Sequence, residues 1–510
     1  MIAADKWRKV VLVALVAYPA VMIVIATANG PGISADSVSY ASAATSFADV
    51  GRFVTYDGTA LTVFPPGLSA TLGVLIAVGL PLSSAAILVN VVAVCVTVAA
   101  SYFIARQVLA SPGWALVASA TVSLLAATVR VGSYLWTEAL FSALITCALV
   151  LITWAVRHGR TPWWLVVAAA VLVALATTVR YVGVVAVPVV VAAIAWVPRD
   201  SRVGKAAVAG LIGALGLVLP ALRNVLLGSP ALGERYPGSV NAEGAITGLV
   251  LQWGEYVAPS RTTSLTLIFG VVVGIMLLVG MWLVVVRRNR PGVMLALFVL
   301  VYWVSMLVSQ VGTRLDLVTE RFAAPVLVPS VVLILVAVRS CLAASSRQLV
   351  PLVKASHETI RWALAGVLGA LGALVIGLSI LHAVEFVRDG SREGIGLAST
   401  SAVERPLSKA ASSLPGGEIV ASNDPWQVWW SRRGVVLNFP PSPNEWPRSR
   451  IESDLERLTD IARQRGSVVV LLDHDGETTV SGGALRDAGL HASQLKESSG
   501  ITTFELRAKY

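Results

Sequence analysis

The sequence predicts a mainly α-helical, polytopic membrane protein that carries a small α/β domain at its C-terminal end. Of its 510 residues, 56% are hydrophobic and only 13% are charged, and the mean hydropathy is +0.77. So few charged side chains could not cover the surface of a soluble protein of this length. The apolar residues also form runs close to the roughly 20 residues that a helix needs to cross a bilayer.

These apolar runs predict about 11 transmembrane helices. They fall near residues 9–28, 83–105, 113–129, 134–156, 163–179, 182–198, 206–227, 265–286, 292–311, 323–338 and 362–384. A further apolar stretch, 67–80, is short and ends at Pro81. If it were a span, every later basic group would lie outside the cell, so we interpret it as a helix on the outer membrane surface.

The net charge of +10 comes from short basic groups between the apolar runs and not from one basic patch. The groups are Lys6/Arg8/Lys9, Arg157/Arg160, Arg199/Arg202/Lys205, Arg287/Arg288/Arg290 and Arg339/Arg347/Lys354. Lysine and arginine concentrate in cytoplasmic loops, so this spacing argues against nucleic-acid binding. It predicts a multi-pass protein of the plasma membrane with a cytoplasmic N-terminus and an extracytoplasmic C-terminus.

The composition changes near residue 386, which divides the predicted transmembrane domain, 1–385, from an extracytoplasmic domain, 386–510. Short β-like runs at 418–421, 434–437, 468–472 and 501–504 alternate with a helical pattern at 451–464. This alternation is typical of a small α/β domain. Asp424 followed by Pro425 predicts the start of a helix.

On this topology, the polar segment 29–82 after the first span forms an outer loop, and Asp36 lies near its start. Charged groups are costly inside a bilayer and gather at span ends where chemistry occurs. An ionised carboxylate at this place can accept the proton of an attacking hydroxyl, so Asp36 is the candidate catalytic base. The alternative is that Asp36 caps the helix that follows it, from about residue 37 to 47.

Glu138 opens a predicted span at the same face. It could supply a second carboxylate that, with Asp36, ligates a divalent cation such as Mg²⁺, Mn²⁺ or Ca²⁺, or it could orient an acceptor. The plainer interpretation is an acid that favours the helix dipole in a first turn. The sequence contains no Cys/His metal motif and no nucleotide-cradling glycine-rich loop, so no nucleotide cofactor is expected.

Three arginines, Arg130, Arg180 and Arg321, fall at predicted outer ends of spans, where positive charge is disfavoured. A guanidinium fork matches phosphate oxygens, so these are candidate phosphate contacts, with Tyr181 directly after Arg180. The plainer interpretations are arginines that snorkel to the interface or, for Arg321, a pair with its neighbour Glu320.

In order and sidedness, these motifs resemble the GT-C superfamily of integral-membrane glycosyltransferases that use polyprenyl-phosphate sugars. The chain is most similar to the branch with bacterial protein O-mannosyltransferases and the lipid A aminoarabinose transferase. The matching positions are Asp36-Ser37 with Tyr40 behind, Pro66 before the surface helix, Tyr134 to Phe141 with Glu138, Arg180 with Gly183, Arg321-Phe322 with Pro325, and Ser422 to Pro425. The chain departs from the family at Ser37, where a second acid is usual, and at Pro65, where a basic residue is common.

The resemblance implies an inverting glycosyltransferase that moves a sugar from a polyprenyl-phosphate carrier to a hydroxyl of a glycan, lipid or protein at the outer face. It implies that Asp36 is the base, that Arg180 contacts the donor phosphate, and that Glu138 has a metal role; Tyr40 belongs to the same donor-binding set. The alternative function is a transporter or flippase of a lipid-linked or anionic substrate. That function calls for charged or helix-breaking residues near span midpoints and an internal repeat.

Overall fold

The computed structural model describes residues 2–197, 201–238, 240–257, 263–313, 320–353, 357–415, 417–442, 446–474, 479–498 and 500–508. The chain forms two compact units. The membrane unit contains Met1–Ala26, Thr62–Leu68 and Ile87–Arg388, and the second unit contains Thr27–Leu61, Ser69–Ala86 and Asp389–Tyr510. Two of the predicted basic residues, Arg199 and Lys354, lie outside the described residues.

Helices dominate the first 393 residues. They are α1 Ile2–Ala26, α2 Ala35–Val50, α3 Gly67–Ala77, α4 Leu82–Leu109, α5 Pro112–Leu124, α6 Ala126–Ser133, α7 Glu138–His158, α8 Trp163–Val179, a 3-10 turn Tyr181–Val185, α9 Ala186–Trp196, α10 Arg202–Leu226, α11 Ala242–Val257, α12 Thr263–Val286, α13 Arg290–Gly312, α14 Glu320–Val353 and α15 His357–Glu393.

Within the described residues, eight helices are long and apolar enough to cross a membrane, and α5 with α6 makes a ninth if this pair, bent by 51°, is one span. The multi-pass prediction is therefore confirmed, whereas the count of about 11 stays a prediction. The two counts differ at the predicted spans 163–179 and 182–198. Helix α8 and the 3-10 turn with α9 form there, but each is shorter than the 18 or more residues of the other candidate spans. At 1.5 Å per residue, the 17 residues of α8 reach only about 25 Å.

The sequence did not predict α11, which lies between the predicted spans 206–227 and 265–286 and packs on α12. A Cβ at Gly254 would lie 1.8 Å from the Thr266 carbonyl oxygen, so this glycine permits the close approach of the two helices. The buried residues of α11, among them Ala245, Trp253 and Tyr256, are spaced as one face of a helix. The polar residues between them hid this pattern.

Several helix ends of the membrane unit meet at the last turn of α4. Its final carbonyl groups accept hydrogen bonds from three side chains of other elements: Arg157 of α7 donates to Gln107, Asn289 before α13 donates to Val108 at 2.9 Å, and Arg339 of α14 donates to Leu109. We call this the basic end, because the basic groups at 157–160, 202–205 and 287–290 lie at the helix ends that meet here.

Exposed tryptophans accompany these basic groups. Trp163 and Trp164 begin α8, Trp196 ends α9, and the Lys205 ammonium lies 5.6 Å from the centre of the Trp163 ring. Tryptophan is enriched where a membrane meets water, so this end of the helices has the features of a membrane interface.

Helix α3 forms in the stretch 67–80, which the sequence predicted to be a surface helix. With 11 residues, it is too short to cross the roughly 30 Å hydrocarbon core.

The C-terminal part of the second unit is the predicted small α/β fold. A five-stranded sheet has the order β2-β1-β3-β5-β4, in which β1 pairs in parallel with β2 and β3, and β5 pairs antiparallel with β3 and β4. The elements are α16 Thr400–Val403, α17 Pro406–Ser413, β1 Val420–Ser422, α18 Pro425–Arg432, β2 Val436–Asn438, α19 Arg448–Arg465, β3 Val468–Asp473, α20 Gly482–Asp487, β4 Leu490–Ser498 and β5 Ile501–Ala508.

The four β-like runs of the sequence correspond to β1, β2, β3 and β5, and the helix start at Pro425 is confirmed. The Asp424 side chain caps α18 by accepting a hydrogen bond from the Gln427 amide at 3.2 Å. Strand β4 was not predicted. It lies at the edge of the sheet, where polar residues such as His491 and Lys496 are tolerated and weaken the apolar signal.

Candidate active site

The membrane unit places one predicted carboxylate, Glu138, at a break between α6 and α7. The connecting segment is held by a stack of the Tyr134 and Trp136 rings, whose centres are 4.1 Å apart. Asn90 of α4 also donates to the Tyr134 carbonyl at 2.6 Å. These two contacts hold the turn in place. Helix α7 therefore begins at Glu138, and the Glu138 side chain lies in the first turn of the helix.

Glu138 is fully buried and meets two of the predicted arginines. Its Oε1 accepts hydrogen bonds from Nε of Arg321, at 3.0 Å, and from Nη1 of Arg180. Its Oε2 accepts from the Thr137 hydroxyl at 3.3 Å, and the same hydroxyl oxygen accepts from Arg180 Nη1 at 3.0 Å. The structure therefore brings together three residues that are far apart in the sequence. It confirms neither a catalytic nor a binding role for them.

Aromatic rings flank both guanidinium groups. The Arg321 guanidinium carbon lies 5.1 Å from the centre of the Trp136 ring and 5.3 Å from that of Phe322. The Arg180 guanidinium carbon lies 5.6 Å from the Phe322 ring centre. Cations within about 6 Å of a ring face are attracted to it. The rings therefore orient both guanidinium groups and limit their contact with water.

The cluster is charged and largely dry. The Arg180 and Arg321 side chains are each 14% exposed, against 0% for Glu138. A buried carboxylate is tolerated when it is paired and hydrogen-bonded, as Glu138 is with the two arginines. The sum over the three side chains is one positive charge, in a setting where arginine binds phosphate oxygens well.

The position of Arg180 depends on a close contact between α8 and the 3-10 turn after it. Arg180 ends α8 with extended backbone angles, and its amide still donates to the Ala176 carbonyl. A Cβ on Gly183 would lie 2.7 Å from the Thr177 amide nitrogen, so a larger residue would push the turn away. The glycine of the motif, Gly183, is therefore required because no side chain fits at this position.

Tyr181 faces a second polar cluster of the membrane unit, which the sequence did not indicate. Nδ2 of Asn224, in α10, donates to the Tyr181 hydroxyl and to the Thr62 carbonyl, both at 3.0 Å. Arg235 Nη2 donates to the Val63 carbonyl at 2.9 Å. These bonds fix the segment just before Pro65. A buried asparagine near the end of a long apolar run was the one signal that could have pointed to Asn224.

Arg130 has different surroundings from the other two predicted arginines. It lies in α6, its side chain is exposed, and its guanidinium carbon lies 5.6 Å from the centre of the Phe386 ring in α15. This contact fits an arginine that lies along an apolar surface with its charge near water. Its predicted phosphate contact stays a prediction.

Asp36 and Tyr40 belong to the second unit, in α2. The N-cap of α2 is Ser34, whose hydroxyl accepts from the Ser37 amide, while the Ser37 hydroxyl accepts from the Ser34 amide at 3.0 Å. This reciprocal pair is a capping box, so the interpretation of Asp36 as the capping residue is wrong. Asp36 is half-buried in the first turn, where its charge favours the helix dipole. Tyr40 is buried.

The residues around Glu138 do not fit a divalent cation. Both of its carboxylate oxygens accept hydrogen bonds, and its partners are cationic arginines that would repel a metal ion. Among the described residues, no group of three or more His, Cys, Asp or Glu side chains is placed to hold a metal. The side chains around Glu138 are therefore not suited to a metal-dependent step.

Solved structures of membrane glycosyltransferases are similar to this chain over nearly its whole length. ArnT from Cupriavidus metallidurans in the apo state has a TM-score of 0.59 at 15% identity, over 99% of this chain and 98% of that one. The same protein bound to undecaprenyl phosphate has a TM-score of 0.57 at 15% identity and covers 97% of both chains.

Two further structures have a similar fold in longer proteins. The oligosaccharyltransferase AglB from Archaeoglobus fulgidus, in complex with an inhibitory peptide and a dolichol-phosphate, has a TM-score of 0.55 at 12% identity, over 98% of this chain and 74% of that one. The arabinofuranosyltransferase AftD from Mycobacteria has a TM-score of 0.54 at 14% identity, over 98% of this chain and 40% of that one. No protein-family model matches the chain, and no curated protein matches it.

At identities of 12–15%, the TM-scores of 0.54–0.59 establish a shared fold. The chain has the fold of these solved structures, as the resemblance of its motifs predicted, and it is a multi-pass membrane protein.

Proposed function

We propose that the protein is an inverting glycosyltransferase that moves a sugar from a polyprenyl-phosphate carrier to a hydroxyl group at the outer face of the membrane. The observation that carries this proposal is the convergence of Arg180 and Arg321 on the buried carboxylate of Glu138. Two guanidinium groups held in place at a largely dry site are suited to bind the phosphate of a donor. The fold supports the proposal, because similar structures hold undecaprenyl phosphate and dolichol-phosphate.

The reaction has one displacement step. The acceptor oxygen forms a bond to the anomeric carbon as the bond from that carbon to the phosphate oxygen breaks, and the phosphate leaves with the electron pair. Attack opposite to the leaving group inverts the anomeric centre. Asp36 accepts the proton of the acceptor hydroxyl. Arg180 and Arg321 stabilise the negative charge that develops on the leaving phosphate, so no general acid is needed.

The outer-face location rests on the charge distribution. Lysine and arginine groups gather at the basic end of the membrane unit, and the positive-inside rule assigns that end to the cytoplasm. Glu138, Arg180 and Arg321 lie at the opposite ends of α7, α8 and α14. Their place at helix ends, and not at helix midpoints, favours a transferase over the transporter or flippase that the sequence also allowed.

The test is a donor-consumption assay with purified full-length protein. A panel of radiolabelled polyprenyl-phosphate sugars, with mannose and arabinofuranose donors included, is incubated with glycan, lipid and peptide acceptors. We expect one donor to be consumed and the product to have the inverted anomeric configuration by NMR. Retention of configuration would overturn the mechanism. Loss of transfer in a chelator that Mg²⁺, Mn²⁺ or Ca²⁺ restores would establish a metal requirement.

The arginine variants test the site itself. We expect Arg180→Gln and Arg321→Gln each to lower turnover of the consumed donor by about 100-fold or more, as loss of one preorganised donor does elsewhere. Arg202→Gln, which removes an exposed arginine at the start of α10, is the matched control and should leave turnover unchanged. Equal rates for the three variants would contradict a role of the cluster in phosphate binding.

A further inference from the structure

A cavity of about 450 Å³ lies at the basic end of the membrane unit, where α4, α12, α13 and α14 meet. Its apolar walls include Leu283 and Val284 from the last turn of α12 and Val336 from α14. Two cationic side chains, Arg287 and Arg339, line the same space. The cavity is therefore amphipathic, with an apolar wall on one side and guanidinium groups on the other.

Both guanidinium groups are positioned by one hydrogen bond each. Arg287 Nη1 donates to the Ser340 hydroxyl at 2.7 Å, and Arg339 Nη1 donates to the Leu109 carbonyl. A guanidinium group has five N–H donors, so each arginine keeps donors beyond the one used within the described residues. None of the residues that line the cavity is acidic. The N–H donors of Arg287 and Arg339 therefore outnumber the hydrogen-bond acceptors among the residues that line the cavity.

The N-terminus of α13 adds to the positive potential. Asn289, which lines the cavity, caps α13 by accepting a hydrogen bond from the Gly292 amide at 3.1 Å. The unpaired amides in the first turn of a helix give that end a partial positive charge. The C-terminal carbonyls of α4 would oppose this effect, but those of Val108 and Leu109 already accept hydrogen bonds from Asn289 and Arg339.

The residues beside the cavity are of the types found where a membrane meets water. On α12, Trp282 is 61% exposed and Val286 is 56% exposed, so this helix presents an apolar face with a tryptophan five residues before Arg287. Exposed tryptophan followed by arginine is typical of the boundary between the hydrocarbon core and the aqueous phase. A ligand here can place acyl chains against α12 and a charged group against the arginines.

We propose that this cavity binds the phosphate headgroup of an anionic membrane lipid. Arg287 and Arg339 donate to its phosphate oxygens, while Leu283, Val284 and Val336 contact the first methylene groups of its chains. The shared chemistry is a phosphate group, which a lipid or free phosphate could supply, and the apolar walls favour the lipid. This site lies at the end of the helices opposite to Glu138 and is independent of the proposed transfer reaction.

The rival explanation is that Arg339 only caps α4 and Arg287 only binds Ser340. The chain offers a matched control for this rival. Arg157 also donates to a carbonyl in the last turn of α4, that of Gln107, but it does not line the cavity. Arg288 is a second control, because it follows Arg287 directly and likewise does not line the cavity.

The experiment is native mass spectrometry of the purified full-length protein, titrated with phosphatidylglycerol or with phosphatidylcholine of identical acyl chains. We expect the wild-type protein to bind phosphatidylglycerol at least about tenfold more tightly, the factor that one charge-assisted hydrogen bond supplies. Arg287→Gln with Arg339→Gln should remove this preference. Arg157→Gln and Arg288→Gln should each retain it, and size-exclusion profiles should show that all variants are folded.

Three results would overturn the proposal. The first is an undiminished preference in the double variant, and the second is an equal loss in Arg157→Gln, which would indicate diffuse charge at the basic end. The third comes from a thermal-stability arm with inorganic phosphate. If phosphate alone stabilises the wild-type protein as much as phosphatidylglycerol does, and the double variant less, the ligand is free phosphate and the lipid assignment is wrong.

Discussion

Arg321 donates from Nε to Oε1 of Glu138 at 3.0 Å, although the two residues are 183 positions apart in the chain. The same carboxylate oxygen accepts from Arg180, so a single buried acid sets the positions of both arginines. The sequence suggested a metal ligand at this acid. The contacts instead support our proposal that Glu138 is a positioning residue, which acts on a donor phosphate through the two guanidinium groups that it holds.

Replacing Glu138 with glutamine should disturb the arginines more than it disturbs the helix. Glu138→Gln keeps the shape of the side chain but leaves two largely buried guanidinium groups without their carboxylate, at a cost of about 3–5 kcal/mol. We expect weaker donor binding and slower transfer, together with a lower melting temperature. Donor Kd, turnover and thermal unfolding of the purified protein measure these effects.

A conservative variant separates positioning from chemistry. Glu138→Asp keeps the charge and should restore part of the donor affinity, whereas Glu385→Gln, at an exposed acid of α15, should leave both quantities unchanged. If Glu138→Gln bound the donor normally and failed only in turnover, the acid would act on the acceptor and not through the arginines.

Asp36 and Ser34 give a clean separation between catalysis and capping. Because Ser34 caps α2, Ser34→Ala should destabilise the helix by about 1 kcal/mol while transfer continues. Asp36→Asn should have the opposite profile, with intact folding and donor binding but turnover reduced by at least about 100-fold. Hydrogen exchange of the α2 amides and donor turnover provide the two measurements.

The control for this pair is Asp49→Asn, which changes an exposed acid near the end of the same helix. It should alter neither measurement. Near-normal turnover in Asp36→Asn would rule out Asp36 as the base. Faster hydrogen exchange of the α2 amides in that variant would indicate that Asp36 stabilises the helix.

Gly183→Ala should reduce activity through backbone displacement. The new Cβ would meet the Thr177 amide nitrogen at 2.7 Å, so the 3-10 turn must shift and Arg180 with it. Overpacking of this kind costs about 1–3 kcal/mol. We expect a rise in donor Kd and a lower melting temperature. Gly274→Ala, in α12 with nothing within 4 Å of the added carbon, should show neither change.

The sequence was informative where a pattern is local and less so where it depends on packing. Long apolar runs and the Asp424–Pro425 helix start are local, and both are found in the structure. Helix α11 was missed because its apolar residues lie on one face only, and strand β4 because an edge strand tolerates polar residues. The ion pairs of Glu138 join distant parts of the chain, so spacing could not separate a metal ligand from an arginine partner.

Asp454, in α19, should make the second unit more stable at low pH than at high pH. Burial raises the pKa of Asp454 to about 6. The charges of Arg450, 3.7 Å from Oδ2, and of Arg457, which pairs with Asp57 at 2.9 Å, lower this pKa but do not cancel the effect of burial. A carboxyl group with a raised pKa in the folded state binds more protons there than in the unfolded chain. Its contribution to stability is therefore complete below pH 4 and is lost as the pH rises through 6.

Asp454→Asn removes this titration, so the variant should be more stable than the wild-type protein at pH 8, by about 1–3 kcal/mol, and equally stable at pH 4. Hydrogen exchange of the α19 amides in the full-length protein, compared between variant and wild type at each pH, measures the difference. Asp460→Asn is the control, because that side chain is 58% exposed and should show little change at either pH. A variant less protected than the wild type at pH 8 would mean that the ionised Asp454 stabilises the fold through Arg450, and the assigned direction of the pH dependence would be wrong.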